Sequence, residues 1–223
     1  MTYDSETVYI KLVQKVNENF TNDNIAIDKS RAWLHINEAQ NKWVEWNLQK
    51  RNDDSLRNLQ AILVDDKLLK FKNTHLQHSN YKLPENYFDF SNLTVFAEKE
   101  KCKDKKLLPI EIKDDNKHLL EADFNNQPSF EYRETFYNLS EGNVKIYFSD
   151  FDISKVYLSY YRYPKEIDFA GYIKSTGLPS VASNPEWDSK IMDRIISIAA
   201  KDFNAIMGRQ TYDIDTNQII SKN

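Results

Sequence analysis

Apolar residues recur at helical spacing between Asn184 and Met207, and this is the clearest pattern in the chain. Asn184 can cap a helix there, and Pro185 would occupy the first helical position, where its missing N–H costs nothing. At about 100° per residue, one wide side of this helix collects Trp187, Ile191, Ile195, Ile196, Ile198, Ala199, Ala200, Phe203, Ile206 and Met207. Such a wide apolar side needs cover from two directions. The cover must come from earlier parts of the chain, from a neighbouring copy, or from both.

Two more helices are predicted near the start of the chain. Asp4 or Ser5 can cap the first, whose apolar positions are Val8, Tyr9, Leu12, Val13 and Val16. The second runs from near Asp28 to about Lys50, and its apolar side holds Trp33, Ile36, Ala39, Trp43 and Trp46. Three tryptophans at this spacing could stack a ligand, but a helix surface buried in a core or an interface explains them more simply.

From Leu68 to Pro164 the pattern mostly indicates strands. The predicted strands are residues 68–73, 94–98, 107–112, 132–138, 144–148 and 155–163. A hairpin turn is expected within residues 137–143, with Gly142 where a positive φ is needed. Residues 115–122 are predicted to form one or two helical turns, and residues 99–106 a solvated loop. Residues 56–64 fit either a short helix or a strand, and the pattern alone does not decide between them.

Helices, a β-rich region and a final helix together predict an α+β fold. The economical arrangement packs the last helix against the first two and leaves the β-region as one subdomain. Residues 1–55 and 184–209 would then form a helical bundle. Residues 56–183 would be an inserted, mostly antiparallel β-rich subdomain. Residues 210–223 would be an extended tail, whose isolated Ile214, Ile219 and Ile220 suit docking on another protein.

Composition narrows the possible functions. The formal net charge of −4 in 223 residues gives no reason to expect nucleic acid or an anionic membrane as the main partner. Cys102 is the only cysteine, which excludes an internal disulfide framework and a cysteine-built metal site. We find no signal peptide and no apolar run of membrane-spanning length, so we expect a soluble protein made in a reducing cytoplasm. Only 4 glycines argue against phosphate-binding loops.

The chain offers little that could carry catalysis. His75 and His78 could supply two metal ligands, but no nearby carboxylate completes a set, and His35 and His118 are isolated. The aspartate pairs 53–54, 65–66 and 114–115 lie at the ends of predicted elements, where capping and turn formation explain them better than acid–base chemistry. No motif of a hydrolase, metalloprotease or nucleotide-binding protein occurs. We therefore expect no catalysis, no cofactor and no metal.

The strand at residues 156–164 is unusual because aromatic residues alternate on both of its faces. Tyr157, Tyr161 and Tyr163 share one face with Ser159, while Leu158, Tyr160 and Arg162 share the other. Such a row could bind a sugar. A strand covered by the core on one face and by a partner protein on the other would show the same pattern, and tyrosine and arginine are favoured at protein interfaces. We favour a partner or the core, and keep a carbohydrate-binding β-module with a helical oligomerisation part as the alternative.

The arrangement of these features resembles a known protein family. Helices come first, Leu83-Pro84-Glu85-Asn86-Tyr87 opens a β-insertion, a tyrosine-rich strand ends in Tyr161-Arg162-Tyr163-Pro164, and a helix follows Asn184-Pro185-Glu186-Trp187. This arrangement resembles the head-to-tail connector (adaptor) proteins of tailed bacteriophages, with the short-tailed types and the ring proteins of crAss-like phages nearest. The resemblance covers most of the chain, and each of its motifs is a loose pattern.

The resemblance implies a virion protein, assembled in the bacterial cytoplasm, that forms a ring beneath the portal. The ring has twelve copies in most such phages, contacts further tail or ring proteins, and conducts DNA without sequence-specific binding. The second and last helices would make ring contacts, and residues 210–223 would dock on the portal. The expected partner-interface residues are Trp33, Trp43, Trp46, Tyr161, Arg162, Trp187, Ile214, Ile219 and Ile220.

Overall fold

A computed structural model describes residues 2–18, 25–112 and 127–207. These residues contain four α-helices and one eight-stranded sheet, so the expected mixed α+β class is confirmed. The helices are α1 (Ser5–Asn17), α2 (Lys29–Lys50), α3 (Asp53–Arg57) and α4 (Ser189–Ile206). The strands are β1 (Leu63–Leu68), β2 (Lys70–His75), β3 (His78–Lys82), β4 (Tyr87–Lys99), β5 (Cys102–Glu111), β6 (Glu134–Ser140), β7 (Asn143–Tyr147) and β8 (Asp152–Arg162).

The chain divides into two compact units. Met1–Ala61 and Pro164–Asn223 make the first, here called the helical unit, and Ile62–Tyr163 makes the second, here called the β-unit. The β-unit is therefore inserted in the chain between the two parts of the helical unit. Residues 56–61 and 164–183, which we expected in the β-rich subdomain, cluster with the helices.

The two predicted N-terminal helices form where the capping signals place them. Asp4 caps α1 by accepting a hydrogen bond from the Thr7 N–H at 2.7 Å, and Asp28 caps α2 by accepting one from the Arg31 N–H at 2.9 Å. Helix α4 packs against both α1 and α2. Earlier parts of the same chain thus cover most of its apolar side, including Ile195, Ala199 and Phe203, while Ile206 and Met207 at its end are exposed.

Helix α4 begins later than the sequence predicts. Asp188 is its N-cap and accepts a hydrogen bond from the Ile191 N–H at 2.8 Å. Asn184 instead caps a different helix, because its Oδ1 accepts a hydrogen bond from the Ser5 N–H of α1 at 3.0 Å. The expectation that Asn184 starts the last helix is therefore wrong, and Trp187 lies just before the helix rather than within it.

The strands of the β-unit form one curled sheet in the order β1-β8-β4-β5-β6-β7-β3-β2. The β5–β6 pairing is parallel, and the other pairings among the described strands are antiparallel. The first and last strands of this order are separated in sequence by Leu69 alone, so the sheet curls back towards its own beginning. Its concave side encloses a core that includes Leu93, Val95, Ile146, Val156 and Leu158.

The six predicted strands all occur, with shifted ends. Strands β1 and β3 were not predicted. The predicted loop at residues 99–106 is wrong, because only Glu100 and Lys101 form the turn and β5 starts at Cys102. The lysine-rich part of β5 is largely exposed and is held by pairing with β4, which a local hydrophobic pattern does not show. The predicted turn before β7 is confirmed, with φ of +53° at Glu141 and +71° at Gly142.

Residues 56–64 combine both of the structures that we considered. Helix α3 ends at Arg57, a single 3₁₀ turn covers Gln60–Ile62, and β1 begins at Leu63. None of the helices in the described residues is long and apolar enough to span a membrane. The predicted helical turns at residues 115–122 and the tail at residues 210–223 lie outside the described residues.

Candidate interaction surfaces

Residues 168–183 of the helical unit form an irregular β-hairpin, called here the 168–183 hairpin. Isolated bridges pair Asp168 with Ser183 and Ile173 with Pro179. At the tip, the Gly177 N–H donates to the Lys174 carbonyl at 2.9 Å, and Gly177 has a φ of +79°, which glycine adopts without strain. The hairpin therefore has a defined backbone.

The carboxylate of Asp168 organises the base of this hairpin. Its Oδ1 accepts hydrogen bonds from the Phe169 N–H at 2.8 Å and from the Tyr172 hydroxyl at 2.7 Å. Its Oδ2 lies 2.6 Å from the Lys174 ammonium group. Burial opposes the charged carboxylate, but Lys174, Tyr172 and the Phe169 N–H outweigh it and lower the pKa of Asp168 below its ordinary value. Burial, and then Asp168, raise the pKa of the Tyr172 hydroxyl, which remains a donor at neutral pH.

The chain entering the hairpin is fixed to α2 by Asn37. The side-chain Oδ1 of Asn37 accepts a hydrogen bond from the Ile167 N–H, and its Nδ2 donates to the Ile167 carbonyl, both at 2.9 Å. The side chains of Ile167 and Phe169 are fully buried, and the Phe169 ring lies 5.6 Å from the ring of Tyr9 in α1. The base of the hairpin is therefore part of the core of the helical unit.

Three aliphatic side chains project from this anchored hairpin into solvent. Ile173 is 74% exposed, Leu178 65% and Val181 73%. We call these three residues the hairpin apolar patch. Single exposed apolar residues are normal on any protein, but several on one fixed hairpin are typical of a protein contact site. A weak signal in the sequence points to a turn here, since Gly177 lies between Ile173 and Leu178.

The β-unit carries a second exposed apolar feature. Strands β2 and β3 form a hairpin whose tip residue Leu76 is fully exposed, and Phe71 on β2 is more than half exposed. Strand β2 is also an edge of the sheet, and all its residues are exposed. Exposed edge strands can pair with another chain, so this hairpin is a second candidate contact surface.

The structure divides the expected interface residues into three groups. Trp43 and Trp187 are buried inside the helical unit, at 1% and 0% exposure, and so offer no surface to a partner. Tyr161 in the β-unit is likewise buried, at 6% exposure. The second group is half-buried and consists of Trp33, Trp46 and Arg162. Ile214, Ile219 and Ile220 lie outside the described residues. Trp33 and Trp46 on α2 are therefore the expected aromatic residues that keep accessible surface in the helical unit.

Trp187 has a specific structural role that explains its burial. Its indole Nε1 donates a hydrogen bond to the Gln40 Oε1 at 2.7 Å, and the Gln40 Nε2 donates to the Asn37 Oδ1 at 2.8 Å. Because Asn37 also holds Ile167, one chain of hydrogen bonds runs from the segment before α4, through α2, to the segment before the hairpin. Asn37 is not among the apolar positions of α2, and the sequence pattern did not reveal this role.

The tyrosine-rich strand does not present a single row of exposed rings. Tyr160 belongs to the core of the β-unit, Tyr161 is buried, and Tyr163 packs edge-on against Phe88 with ring centroids 4.6 Å apart. The register of β8 with its neighbours contains bulges, which interrupt the expected alternation of faces. Tyr157, Tyr161 and Tyr163 therefore do not form the row of exposed rings on which the alternative of sugar binding was based, and Tyr157 alone of the three lines a groove on the outer surface of the β-unit.

His35, His75, His78 and the Asp53–Asp54 pair occupy structural positions. His75 and His78 stack at the end of the β2–β3 hairpin with ring centroids 4.8 Å apart, and His35 packs edge-on against Phe203. Asp53 and Asp54 lie in the first turn of α3. Within residues 2–18, 25–112 and 127–207, no group of three or more acidic, histidine or cysteine side chains is placed to hold a metal ion. His118 and the aspartates at 114–115 lie outside the described residues.

No protein-family model matches this chain, and no curated protein matches it either.

Proposed function

We propose that this protein is a structural subunit of a phage head-to-tail connector. In this proposal its copies form a ring in the virion, join the portal to the tail, and leave a channel through which DNA passes without sequence-specific binding or catalysis. The observation that carries the proposal is the hairpin apolar patch, because Ile173, Leu178 and Val181 are exposed on a fixed backbone. Their burial against another protein would contribute about 25 cal/mol per Å² of apolar surface.

We assign the ring contact to this patch and to α2. Most of the apolar side of α4 is already covered by α1 and α2 within one chain, so only its exposed end at Ile206 and Met207 is open to the contact that the resemblance implies for it. Helix α2 keeps accessible apolar surface at Trp33, Trp46 and the exposed Leu34. The occupant of the hairpin apolar patch is therefore proposed to be a neighbouring copy of this chain.

The same proposal assigns a role to each part of the fold. Helices α1, α2 and α4 act as the bundle that packs around the ring, and the inserted β-unit meets the next tail component. The exposed β2–β3 hairpin, with Phe71 and Leu76, is the proposed contact surface for that component. Residues 210–223 are the proposed docking segment for the portal.

The ring contact is tested by native mass spectrometry of the purified full chain, alone and with the portal protein from the same genome. We expect a ring, or a complex that forms only when the portal is present. The variant Ile173→Ser/Leu178→Ser/Val181→Ser should keep the far-ultraviolet circular dichroism of the native chain and lose the ring. Leu76→Ser removes a fully exposed aliphatic side chain from the β-unit and should leave the ring intact. A ring that forms unchanged in the triple variant would contradict the assigned contact.

The portal contact has its own variant. Deletion of residues 210–223 should leave the fold and the ring contact intact and abolish attachment to the portal. A truncated chain that still attaches normally, or that no longer folds, would overturn the docking role of this segment. If the full chain forms neither a ring nor a complex with the portal, the connector proposal itself is wrong.

A further inference from the structure

An open groove of about 700 Å³ lies on the outer surface of the β-unit. It crosses the four strands β1, β8, β4 and β5, which are consecutive in the sheet. Its floor and rims are formed by side chains of all four strands. All the residues that line the groove belong to the β-unit. None of them belongs to the hairpin apolar patch or to α2, to which we assign the ring contact, so a role for the groove goes beyond assembly of the ring.

Strand alternation places an aromatic pair and polar groups on the floor of the groove. Asn92, Thr94 and Phe96 of β4 face outward, while Leu93 and Val95 between them are buried in the core. Thr94 pairs with Tyr157 of β8, and Phe96 pairs with Lys155 of β8 and with Lys106 of β5. The rings of Phe96 and Tyr157 meet edge to face, with centroids 5.9 Å apart and an interplanar angle of 82°.

One rim of the groove is a β-bulge that turns two consecutive carboxylates towards it. The register of β1 with β8 shifts between Val64 and Lys67, and Asp66 within this bulge has a φ of +47°. The Ser159 hydroxyl donates to the Asp65 carboxylate and accepts a hydrogen bond from the Asp66 N–H at 3.1 Å. An aspartate in the left-handed region is uncommon, and bulges of this kind often direct side chains at binding sites.

The opposite rim is formed by Asp104 of β5. It also has a left-handed backbone, with a φ of +54°, and its carboxylate lies 3.0 Å from the Lys155 ammonium group. Strand spacing of about 4.8 Å puts the two rims about 14 Å apart across the sheet. The groove is thus an elongated surface suited to a chain-like ligand.

The groove offers both hydrogen-bond donors and acceptors around an apolar centre. Asn92, Thr94 and Lys106 line the groove and carry polar side-chain groups that can form hydrogen bonds with a ligand. Three carboxylates, at Asp65, Asp66 and Asp104, stand against two ammonium groups, at Lys106 and Lys155. This balance disfavours a polyanion such as single-stranded nucleic acid, which needs a basic groove.

We propose that this groove binds a neutral oligosaccharide. The half-buried rings of Phe96 and Tyr157 contact the apolar C–H face of a sugar ring. The carboxylates of the β1 bulge accept hydrogen bonds from sugar hydroxyls. Asn92 and Thr94 can both donate to and accept from the other hydroxyls, and Lys106 donates to them. The ligand surface is therefore centred on Phe96 and Tyr157, and not on the row of tyrosines that the sequence suggested.

The test uses the purified full chain and an array of neutral glycans, followed by titration of the strongest binder by isothermal calorimetry. We expect a glycan to bind, with amide chemical-shift changes at Asn92, Thr94 and Tyr157. Phe96→Ala and Tyr157→Ala should each weaken binding about 10-fold or more, the loss typical of removing one stacking ring. Tyr157→Phe keeps the ring and should bind more tightly than Tyr157→Ala. Tyr163→Ala removes a tyrosine that is 51% exposed outside the groove and should leave the affinity unchanged.

Three results would overturn the assignment. One is the absence of binding to every glycan at millimolar concentration. Another is tight binding of a thymidine oligonucleotide or an acidic heparin fragment that Phe96→Ala abolishes, since this would make the groove a polyanion site. The third is glycan binding that Phe96→Ala and Tyr157→Ala leave unchanged. The groove variants should still form the ring, and the triple hairpin variant should still bind the glycan, so failure of one proposal is distinguishable from failure of the other.

Discussion

At the scale of single residues, the buried hydrogen bond from Trp187 to Gln40 can be tested by its effect on stability. Trp187→Phe removes the indole donor, leaves the buried Gln40 Oε1 without its partner, and opens a cavity. We expect the free energy of unfolding, measured by urea denaturation, to fall by about 3 kcal/mol. The matched control is Trp46→Phe on α2, because this ring is only half-buried, and its loss should stay below about 1 kcal/mol.

A double-mutant cycle separates the hydrogen bond from the lost volume. Gln40→Leu in the Trp187→Phe background removes both polar partners, so it should cost less than Gln40→Leu alone. Two results would show that the hydrogen bond contributes nothing beyond packing. One is an equal loss of unfolding free energy in Trp187→Phe and Trp46→Phe, and the other is a coupling energy of zero between Trp187 and Gln40.

The lowered pKa of Asp168 predicts that the stability of the helical unit depends on pH. Its pKa in the folded chain is below the ordinary value of about 3.9. Its stabilising effect is therefore fully present above that ordinary value and is lost as the pH falls through the folded pKa. Asp168→Asn should lower the free energy of unfolding by about 2 kcal/mol at neutral pH and remove this part of the acid sensitivity.

The measurement is urea denaturation at a series of pH values from about 6 to about 3, the range in which carboxylates titrate. Asp152→Asn, at an exposed position of β8, is the control and should follow the native curve. If Asp168→Asn is as acid-sensitive as the native chain, the Asp168–Lys174 contact does not hold the hairpin base.

At the scale of elements, helices were predictable where local signals agreed. Asp28 and the apolar spacing that follows it locate α2 almost to the residue. The start of α4 was misplaced because Asn184 and Asp188 are both good caps, and only the tertiary contact of Asn184 with α1 distinguishes them. Two equally strong local signals can be resolved only by the rest of the fold.

Exposure accounts for two of the strand segments that the sequence missed, although the fully exposed β2 was predicted and the mostly buried β3 was not. Strand β1 is mostly exposed and interrupted by a bulge, and the first half of β5 is rich in lysine. Their structure depends on pairing with β8 and β4, which are distant in sequence. A window of neighbouring residues carries no trace of such long-range pairing.

Asp188 caps α4, and Asn184 accepts a hydrogen bond at the start of α1, so their substitution should destabilise different helices. Asp188→Ala should lower the free energy of unfolding by about 1 kcal/mol, and Asp188→Asn, which keeps a capping side chain, should lose only a few tenths. Asn184→Ala should cost a similar 1 kcal/mol or so, but at the start of α1. Amide hydrogen exchange can locate each loss. Faster exchange in α4 rather than in the first turn of α1 for Asn184→Ala would contradict the assigned caps.

At the scale of the whole molecule, the candidate surfaces were the least predictable part. Ile173, Leu178 and Val181 are as apolar as Ile167 and Phe169 in the same connecting segment, yet the first three are exposed and the last two are buried. The difference is made by Asn37 on α2, which fixes Ile167, and by the buried Asp168. The groove in the β-unit likewise requires four strands that are far apart in sequence, so no single segment indicates it.

The inserted position of the β-unit leads to the last prediction. Its two ends lie in neighbouring antiparallel strands, where Leu63 pairs with Tyr161 and Val64 with Tyr160. Its core residues, such as Val95 and Val156, pack with other residues of the same unit. An insertion whose ends are adjacent and whose core is its own has what a chain segment needs to fold alone. We therefore expect residues 62–163, expressed as a separate chain, to fold.

The measurement is an amide ¹⁵N–¹H spectrum of this fragment, compared with that of the full chain. Peaks from the central strands β4 and β8 should overlay, while peaks near both ends of the fragment should move. The control is the same fragment with Val156→Asp, which puts a carboxylate at a fully buried position and should collapse the spectrum, because an unpaired buried charge is far costlier than lost packing. A native fragment with a collapsed spectrum would mean that the sheet needs the helical unit to form. In that case a ligand in the groove could influence ring assembly through the fold, and the two proposed functions would no longer be separable by mutation.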